Sequence, residues 1–440
     1  MQFEHIVCGF CGCVCDDIKV TVEDGRVTGV KQACALGRAW LMGHSTESCN
    51  SVALVDGEPA PLDEALDVAA RYLASSRNPL IYGLSSTVCE AQRQAVELAD
   101  LLGSNLDTCA SVCHGPSGMG FQYAGDSTCT LGEVKNRADL VIYWGANSAE
   151  AHPRHFARYA VMPKGLYRPG GRKERTAVVI DIRPTATSRL ADLFLQIRPG
   201  RDFEAIWALR SLVRGIPLDE SSVAITGLTL AQLQDLAQRM MACKFGVLFV
   251  GLGLTQTRGR QLNTAAAMLL IRDLNAHTKF ALQPLRGHGN VTGHDQVIAW
   301  QTGYPFAVNF GRGYPRYNPG EFTAVDLLAR REVDAAVIVA ADPVCNFPRA
   351  SSRYLSEIPT ICLDNHDTDT TKAARVVIHT GTSGINVEGT FYRMDNVPVR
   401  MHKFLPSPYP SDEEVLSEIT ERVRQLLAAR KEANSHAANH

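Results

Sequence analysis

The sequence predicts an α/β protein, doubly wound parallel sheets behind a small cysteine-bearing N-terminal segment. Three observations carry that expectation. Short runs of β-branched and aromatic residues recur along the 440-residue chain, amphipathic helical stretches separate them, and many of the runs end in Gly, Asp or Asn. Strands buried on both faces by intervening helices read this way, and the ends of such strands are where open α/β sheets bind ligands.

The N-terminal segment comes first. Cys8, Cys11 and Cys15 form a C-x2-C-x3-C run, and Cys34 follows at a distance. Closely spaced thiolates from one tight loop, closed by a later cysteine, suit four-thiolate [4Fe-4S] ligation. Zinc held by four cysteines is the rival, and the x2/x3 spacing favours iron. Cys13, between two of the expected ligands, reads as a bystander. Residues 1–5 lead straight into the cysteines with no basic and apolar leader, and a chain of this length needs no staples, so a disulfide framework is not expected. The other cysteines, Cys49, Cys89, Cys109, Cys113, Cys129, Cys243, Cys345 and Cys362, are scattered, as in a reducing compartment. Residues 18–27 then alternate at period two around Asp24-Gly25, the pattern of a β-hairpin.

From Leu62 the period changes. Leu62, Ala65, Leu66, Ala69, Ala70 and Leu73 mark a helix, and residues 80–83 read as a buried strand. Further strands are expected at 139–145, 177–181, 246–251, 335–339 and 360–364, with helices at 203–213, 230–241 and 258–274. The stretch 285–321, rich in proline and glycine, lacks periodicity and reads as a long functional loop. The tail from about residue 430 reads as disordered.

Charge and composition exclude several classes. With 44 basic and 46 acidic residues there is no global field to recruit nucleic acid or an anionic membrane. No apolar run approaches the length of a membrane helix. A cytoplasmic protein, with no nucleic-acid partner and no membrane insertion, is expected.

Four segments can carry chemistry. In 108–116, Cys113 precedes His114; adjacent residues rarely face each other, so metal ligation by Cys113, with His114 turned towards substrate, suits the geometry better than a nucleophile and its base. A buried structural cysteine is the plain alternative. In 251–259, Gly251 and Gly253 follow a strand and open a helix, as at a phosphate site, though an ordinary strand-to-helix turn reads the same way. In 285–295, Arg286, His288 and His294 share a glycine-rich loop suited to anionic groups; zinc through the two histidines lacks an evident third ligand. The polar strand-end loop 145–155 is similar.

These pieces in this order resemble the molybdopterin-dependent oxidoreductases, and more narrowly the B-subunit family of formylmethanofuran dehydrogenase and the related formyltransferase/hydrolase complex. The specific matches are Ser111-Val112-Cys113-His114-Gly115-Pro116, residues 300–305 with 313–321, and Val387-Glu388-Gly389-Thr390-Phe391-Tyr392-Arg393-Met394-Asp395. The resemblance runs from Cys8 to about Leu405. It implies one [4Fe-4S] cluster on Cys8, Cys11, Cys15 and Cys34, and a tungsten or molybdenum ion bound by two pterin guanine dinucleotides and Cys113. His114 would be an active-site histidine that moves a proton, and Arg286 the substrate-orienting cation. Asn147, Asp181, Arg183, Gly251, Gly253 and Asp342 are assigned to the dinucleotides.

The implied fold is that of domains 1–3 of formate dehydrogenase and dimethyl sulfoxide reductase. Residues 1–50 would form the iron-sulfur domain, 51–115 with 285–440 a pterin-binding α/β domain, and 116–284 an inserted α/β dinucleotide-binding domain. The C-terminal β-barrel domain of larger relatives is expected to come from a partner. The implied reaction is the reversible two-electron interconversion of CO2 and formate for one-carbon transfer to a methanofuran-type amine, in a complex with amidohydrolase-like A, C and β-barrel D subunits. Relatives carry a basic residue two positions after the last cluster cysteine, whereas Leu36 stands there and Arg38 is the nearest cation. A second reading is a cofactor-free structural component of a bacterial formyltransferase/hydrolase complex in formaldehyde oxidation. A third, a zinc-stabilised α/β interaction protein, leaves the Cys113-His114 loop and the strand-end glycines without a role.

Overall fold

The computed structural model describes residues 1–44 and 51–438. Cys49 and the expected boundary after residue 50 lie outside the described residues. The chain opens with an antiparallel sheet of β1 (Gln2–Ile6), β2 (Ile18–Glu23) and β3 (Arg26–Lys31). Asp24 and Gly25 both take positive φ, 50° and 74°, as the tight turn between β2 and β3 requires. The cysteine loop is the connection between β1 and β2, and Cys34 caps the helix Ala35–Gly43 that follows β3.

Two larger sheets make up the rest. The first takes β4 (Ala53–Val55), β5 (Glu58–Ala60), β6 (Leu80–Gly83) and β7 (Asn105–Thr108). The chain then leaves it to build β8 (Leu140–Trp144), β9 (Thr176–Asp181), β10 (Leu193–Gln196), β11 (Phe245–Val250) and β12 (Lys279–Pro284). It returns with β13 (Val308–Asn309), β14 (Arg316–Tyr317), β15 (Ala336–Val339), β16 (Thr360–Asp364) and β17 (Val376–His379), and ends with a hairpin of β18 (Gly389–Tyr392) and β19 (Pro398–Met401).

The nine-stranded sheet has the order β14-β13-β7-β6-β15-β16-β17-β4-β5. Its central five strands are parallel, and the flanking short strands are antiparallel. The five-stranded sheet, β10-β9-β8-β11-β12, is parallel throughout. Sequences such as Ala-Val-Ile-Val in β15 and Phe-Gly-Val-Leu-Phe-Val in β11 are buried at every position, because helices cover both faces. In each sheet the chain order reverses once, between β6 and β15 in the larger and between β8 and β11 in the smaller. Ligand crevices form at such reversals, beyond the carboxyl ends of the strands.

Two stretches differ from expectation. The unperiodic region 285–321 contains a helix, Val291–Thr302. Its inward face carries Thr292, Gly293 and His294 beside Val297 and Ile298, so burial leaves no apolar stripe to read. Polar partners engage much of that face: His294 Nε2 lies 3.1 Å from Ser85 Oγ, and Asn290 donates to the Thr87 carbonyl and accepts from the Tyr392 N–H. The tail from residue 430 continues the helix Asp412–Ala438, whose Val415, Leu416, Ile419 and Val423 pack against the helices Leu62–Ser75 and Cys89–Leu102. Arg430 bonds the Ala74 carbonyl and ties the helix down at that point. Among the described residues no helix is long and apolar enough to cross a membrane.

The terminal hairpin is fixed to the smaller sheet's first helix, Leu131–Arg137. The buried Asp395 carboxylate accepts the Leu131 N–H at 2.6 Å and a two-point contact from Arg393 at 2.7 Å. Asp395→Ala strands a half-buried guanidinium and a buried helix N–H together, so we expect a loss of about 2–4 kcal/mol. A lowered thermal unfolding midpoint measures it, and Asp395→Asn should lose less.

Candidate functional site

The loop after β7 carries Cys113. Asp107, at the end of that strand, is fully buried and accepts Ser111 Oγ–H at 2.8 Å, the Ala307 N–H at 3.1 Å and the Ala324 N–H at 2.7 Å. One carboxylate therefore fixes the loop and two returning segments, and burial raises its pKa to about 7. The Cys113 N–H donates to the Ala110 carbonyl, and its own carbonyl accepts Gln256 Nε2–H at 2.7 Å from the far side. Gln256 ends the loop after β11, so the smaller sheet holds the cysteine that the larger sheet presents.

Two cavities meet at this cysteine. One, of about 470 Å³, lies at the reversal between β8 and β11 and is lined by Cys113, His114, Asn147, Asp181, Arg183, Gly251 and Gly253, among others. The other, of about 320 Å³, lies at the reversal between β6 and β15 and is lined by Tyr82, Cys109, Cys113, His288 and Asp342. Cys113, Leu252 and Gly287 belong to both walls. Both volumes fall in the range of ligand sites.

Burial pushes the Cys113 thiol up to about 11, against the opposing charge of Arg286. Arg286 itself is buried and lies 2.8 Å from Asp295, whose other oxygen is 2.9 Å from His294 Nδ1. The guanidinium is thus an already paired cation beside the cysteine, not a free fork in the cavity. His114 is fully buried; Nε2–H donates to the Leu285 carbonyl at 3.0 Å, which leaves Nδ1 to accept from Ser117 at 3.2 Å. Burial, helped by Arg286, lowers its pKa to about 3, so the ring is neutral with both nitrogens engaged. His152, in the same cavity wall, donates Nε2–H to the Arg286 carbonyl at 2.6 Å and keeps Nδ1 without a hydrogen-bond partner among the described residues.

The two glycines line the cavity and serve packing as well. A Cβ on Gly251 would lie 2.3 Å from the Gly145 carbonyl oxygen, and one on Gly253 would lie 2.7 Å from Gly145 Cα. They let two strand-end loops pack backbone on backbone, with the Gly253 N–H on the Gly145 carbonyl at 2.9 Å. The helix they open, Leu252–Thr255, is a single turn. Asn147 accepts from Thr187, and Asp342 from Thr370 and the Cys345 N–H. Asp202 went unforeseen: it lines the larger cavity from the start of the helix Asp202–Val213, anchored by Trp144 Nε1–H at 2.9 Å.

The N-terminal thiols converge as well. Cys8, Cys11, Cys15 and Cys34 line one small cavity, and Cys13 lines it with them. Hydrogen bonding from Cys13 draws the Cys11 thiol below its ordinary range, and burial raises Cys8. Gly37 makes room, since a Cβ there would lie 2.9 Å from the Cys8 sulfur and 3.7 Å from that of Cys34. Val14 takes φ 38°, an outlier for a β-branched residue, which turns the chain between Cys11 and Cys15. A single zinc ion needs its sulfurs about 3.8 Å apart, from Zn–S bonds of about 2.3 Å. Among the described residues the one set of three ligand atoms within 4.8 Å of each other is Asp342, Cys345 and Asp369, so no three of these thiols stand that close together. Leu36 is half-buried and Arg38 exposed.

We expect Gly145→Ala, at φ 56° and with its Cβ 2.6 Å from the Gly253 carbonyl carbon, to cost about 2–4 kcal/mol. A lowered unfolding midpoint in urea measures it.

Comparison with known proteins follows the same lines. A family model described as Molybdopterin oxidoreductase matches residues 62–290. The B-subunit of the tungsten-containing formylmethanofuran dehydrogenase 2 of Methanocaldococcus jannaschii is 43% identical over 431 residues, covering 96% of this chain and 99% of that protein. The B-subunit of the formyltransferase/hydrolase complex Fhc of Methylorubrum extorquens is 30% identical over 393 residues, covering 85% of this chain and 98% of that protein. Among solved structures, the formyltransferase/hydrolase complex FhcABCD of Methylorubrum extorquens with methylofuran matches at TM-score 0.70 and 26% identity, over 85% of this chain and 99% of that one. Acetylene hydratase from Pelobacter acetylenicus matches at TM-score 0.71 over 97% of this chain and 70% of its own, a likeness of fold alone at 14% identity.

Proposed function

Because the chain belongs to the B-subunit family of formylmethanofuran dehydrogenase, within the molybdopterin oxidoreductases, we propose that it is the redox component of a multisubunit formylmethanofuran dehydrogenase. Its reaction is the reversible reduction of CO2 to formate by two electrons and one proton, for transfer to a methanofuran-type amine by amidohydrolase-like A, C and β-barrel D partners. The observation that carries this reading is the meeting of two switch-point cavities at Cys113.

The residues suit a tungsten or molybdenum bis-pterin group and a [4Fe-4S] cluster, which when bound supply two-electron chemistry and single-electron transfer respectively. Cys113 provides the protein thiolate, and the charge of Arg286, held by Asp295, favours its ionised form. Asn147, Asp181, Arg183, Asp202, Gly251 and Gly253 receive one dinucleotide, and Asp342 the other. Arg183, exposed at the cavity mouth, supplies a cation for a pyrophosphate. With both nitrogens of His114 taken, His114 orients the loop, and His152 Nδ1 is the free imidazole acceptor for a proton. Arg286, already paired with Asp295, acts on the site through its charge beside Cys113 and does not grip the carboxylate product. Cys8, Cys11, Cys15 and Cys34 hold the cluster. The domains divide as 1–50, 51–115 with 285–440, and 116–284.

The formyltransferase/hydrolase neighbour favours one other reading, a cofactor-free component that only supports its assembly. Anaerobic purification of the complex separates the two. We expect about four iron atoms and one tungsten or molybdenum per chain, with pterin, and viologen-linked formate oxidation. Cys113→Ala should keep the iron and lower formate oxidation at least about a thousandfold, as loss of a metal ligand demands. A complex with neither metal nor pterin establishes the scaffold instead.

A further inference from the structure

The segment between the cysteine cavity and the larger cavity is unusual in conformation and in charge. His155–Ala160 forms a π-helical turn, a rare arrangement that recurs at functional positions. Its approach touches both cavities: His152 lines the larger one, and Pro153 and Arg154 line the one built by the cysteines. Arg154 holds Asp17 in two-point contact at 2.6 and 2.7 Å. Arg158, one turn on, holds Asp16 at 2.6 Å and lies 3.1 Å from Asp17. Asp16 and Asp17 directly follow Cys15, so the two arginines grip the cysteine loop.

Pinning the loop would need nothing more than these ion pairs. The placement of the charges goes further. Arg154 forms part of the cavity wall, while its partner Asp17 does not line the cavity. Arg154 and Arg158 are the two cations whose charge reaches the Cys15 sulfur. Tyr159 stacks under Arg158, 4.8 Å from ring centre to guanidinium, and accepts from it at 2.7 Å, which holds the cation in place. Arg393 stands over the same ring at 5.6 Å. Arg154 thus faces the thiols, and neither Asp16 nor Asp17 lines their cavity.

We infer that Arg154 and Arg158 are positioning residues that raise the reduction potential of the centre held by Cys8, Cys11, Cys15 and Cys34. The inference rests on the reading of these thiols as ligands of an iron-sulfur cluster. Reduction adds one electron to the cluster from an external donor such as dithionite, with no bond made or broken in the protein. A fixed cation in a partly buried site stabilises the added negative charge.

The test uses the anaerobically purified complex, with iron analysis and an EPR-monitored potentiometric titration against dithionite. Arg154→Gln and Arg158→Gln should retain iron and move the midpoint to lower potential. The ratio of reduced to oxidised cluster, at the wild-type midpoint, should fall at least about threefold, where tenfold corresponds to 59 mV for one electron. Asp17→Asn should shift the midpoint the opposite way, and Arg154→Lys should restore most of the wild-type value. Full iron with an unmoved midpoint in both glutamine variants overturns the inference. Iron loss with the remaining clusters at the wild-type midpoint also overturns it, leaving the arginines as clamps. A wild-type complex without iron instead overturns the cluster reading beneath it.

Discussion

The carboxyl edges of two parallel sheets meet where Gln256, after β11, donates to the Cys113 carbonyl, after β7, and the rest of the site depends on that contact. Each sheet alone offers only half a crevice at its chain reversal. The halves become cavities because the loop after β7, the loop after β11 and the crossing segment 285–287 share one small volume. Within the smaller sheet the loops after β8 and β11 pack main chain on main chain, Gly145 against Gly251 and Gly253, and the Gln256 side chain that follows reaches across to the Cys113 carbonyl. A side chain at any of those glycines would force the two loops apart and disturb the wall of the larger cavity.

The cysteine loop obeys the same constraint one layer away. The Gly12 N–H donates to the Gly287 carbonyl at 3.3 Å, the Gly12 carbonyl accepts the Met394 N–H at 2.8 Å, and Cys11 pairs with His288 in an antiparallel bridge. A Cβ at Gly12 would lie 2.6 Å from the Arg286 carbonyl oxygen. Residues 286–288 therefore form a common wall, with Gly287 in both large cavities and its neighbours against the cysteine loop. Any shift of this segment moves the two sites together, which couples their geometry without a dedicated hinge.

Much of this was legible in the sequence because the signals are local. The strands announce themselves by short β-branched runs with helices between, and the Asp24-Gly25 turn by its residue types. Cys113, Asn147, Asp181, Arg183, Gly251 and Gly253 could be singled out from strand-end position and chemistry, and one cavity gathers them. What stayed hidden is tertiary. The helix Val291–Thr302 buries histidine and threonine against Ser85 and its neighbours, so it has no apolar period to detect. The glycines after β11 could be read as a phosphate site, but nothing local reveals that Gly145 also lies against them. Asp202, His152 and Arg154 are ordinary residues in sequence. Only the fold brings Trp144 to the first, the Arg286 carbonyl to the second and the cysteine cavity to the third.

The burial of charge bears on what such a site is for. Arg286, Asp295 and His294 form a buried polar triad, and His114, His152 and His155 sit neutral and almost fully enclosed nearby. Buried ion pairs are weak contributors to stability, and an apolar set of similar volume commonly serves a scaffold at least as well. Five thiols around a second cavity add nothing to packing that small aliphatic side chains would not. A purely structural component would gain from replacing these groups, whereas a chain that must hold a highly charged metal group, and move protons and electrons beside it, needs them. The arrangement of charge, more than the fold that carries it, favours the redox reading.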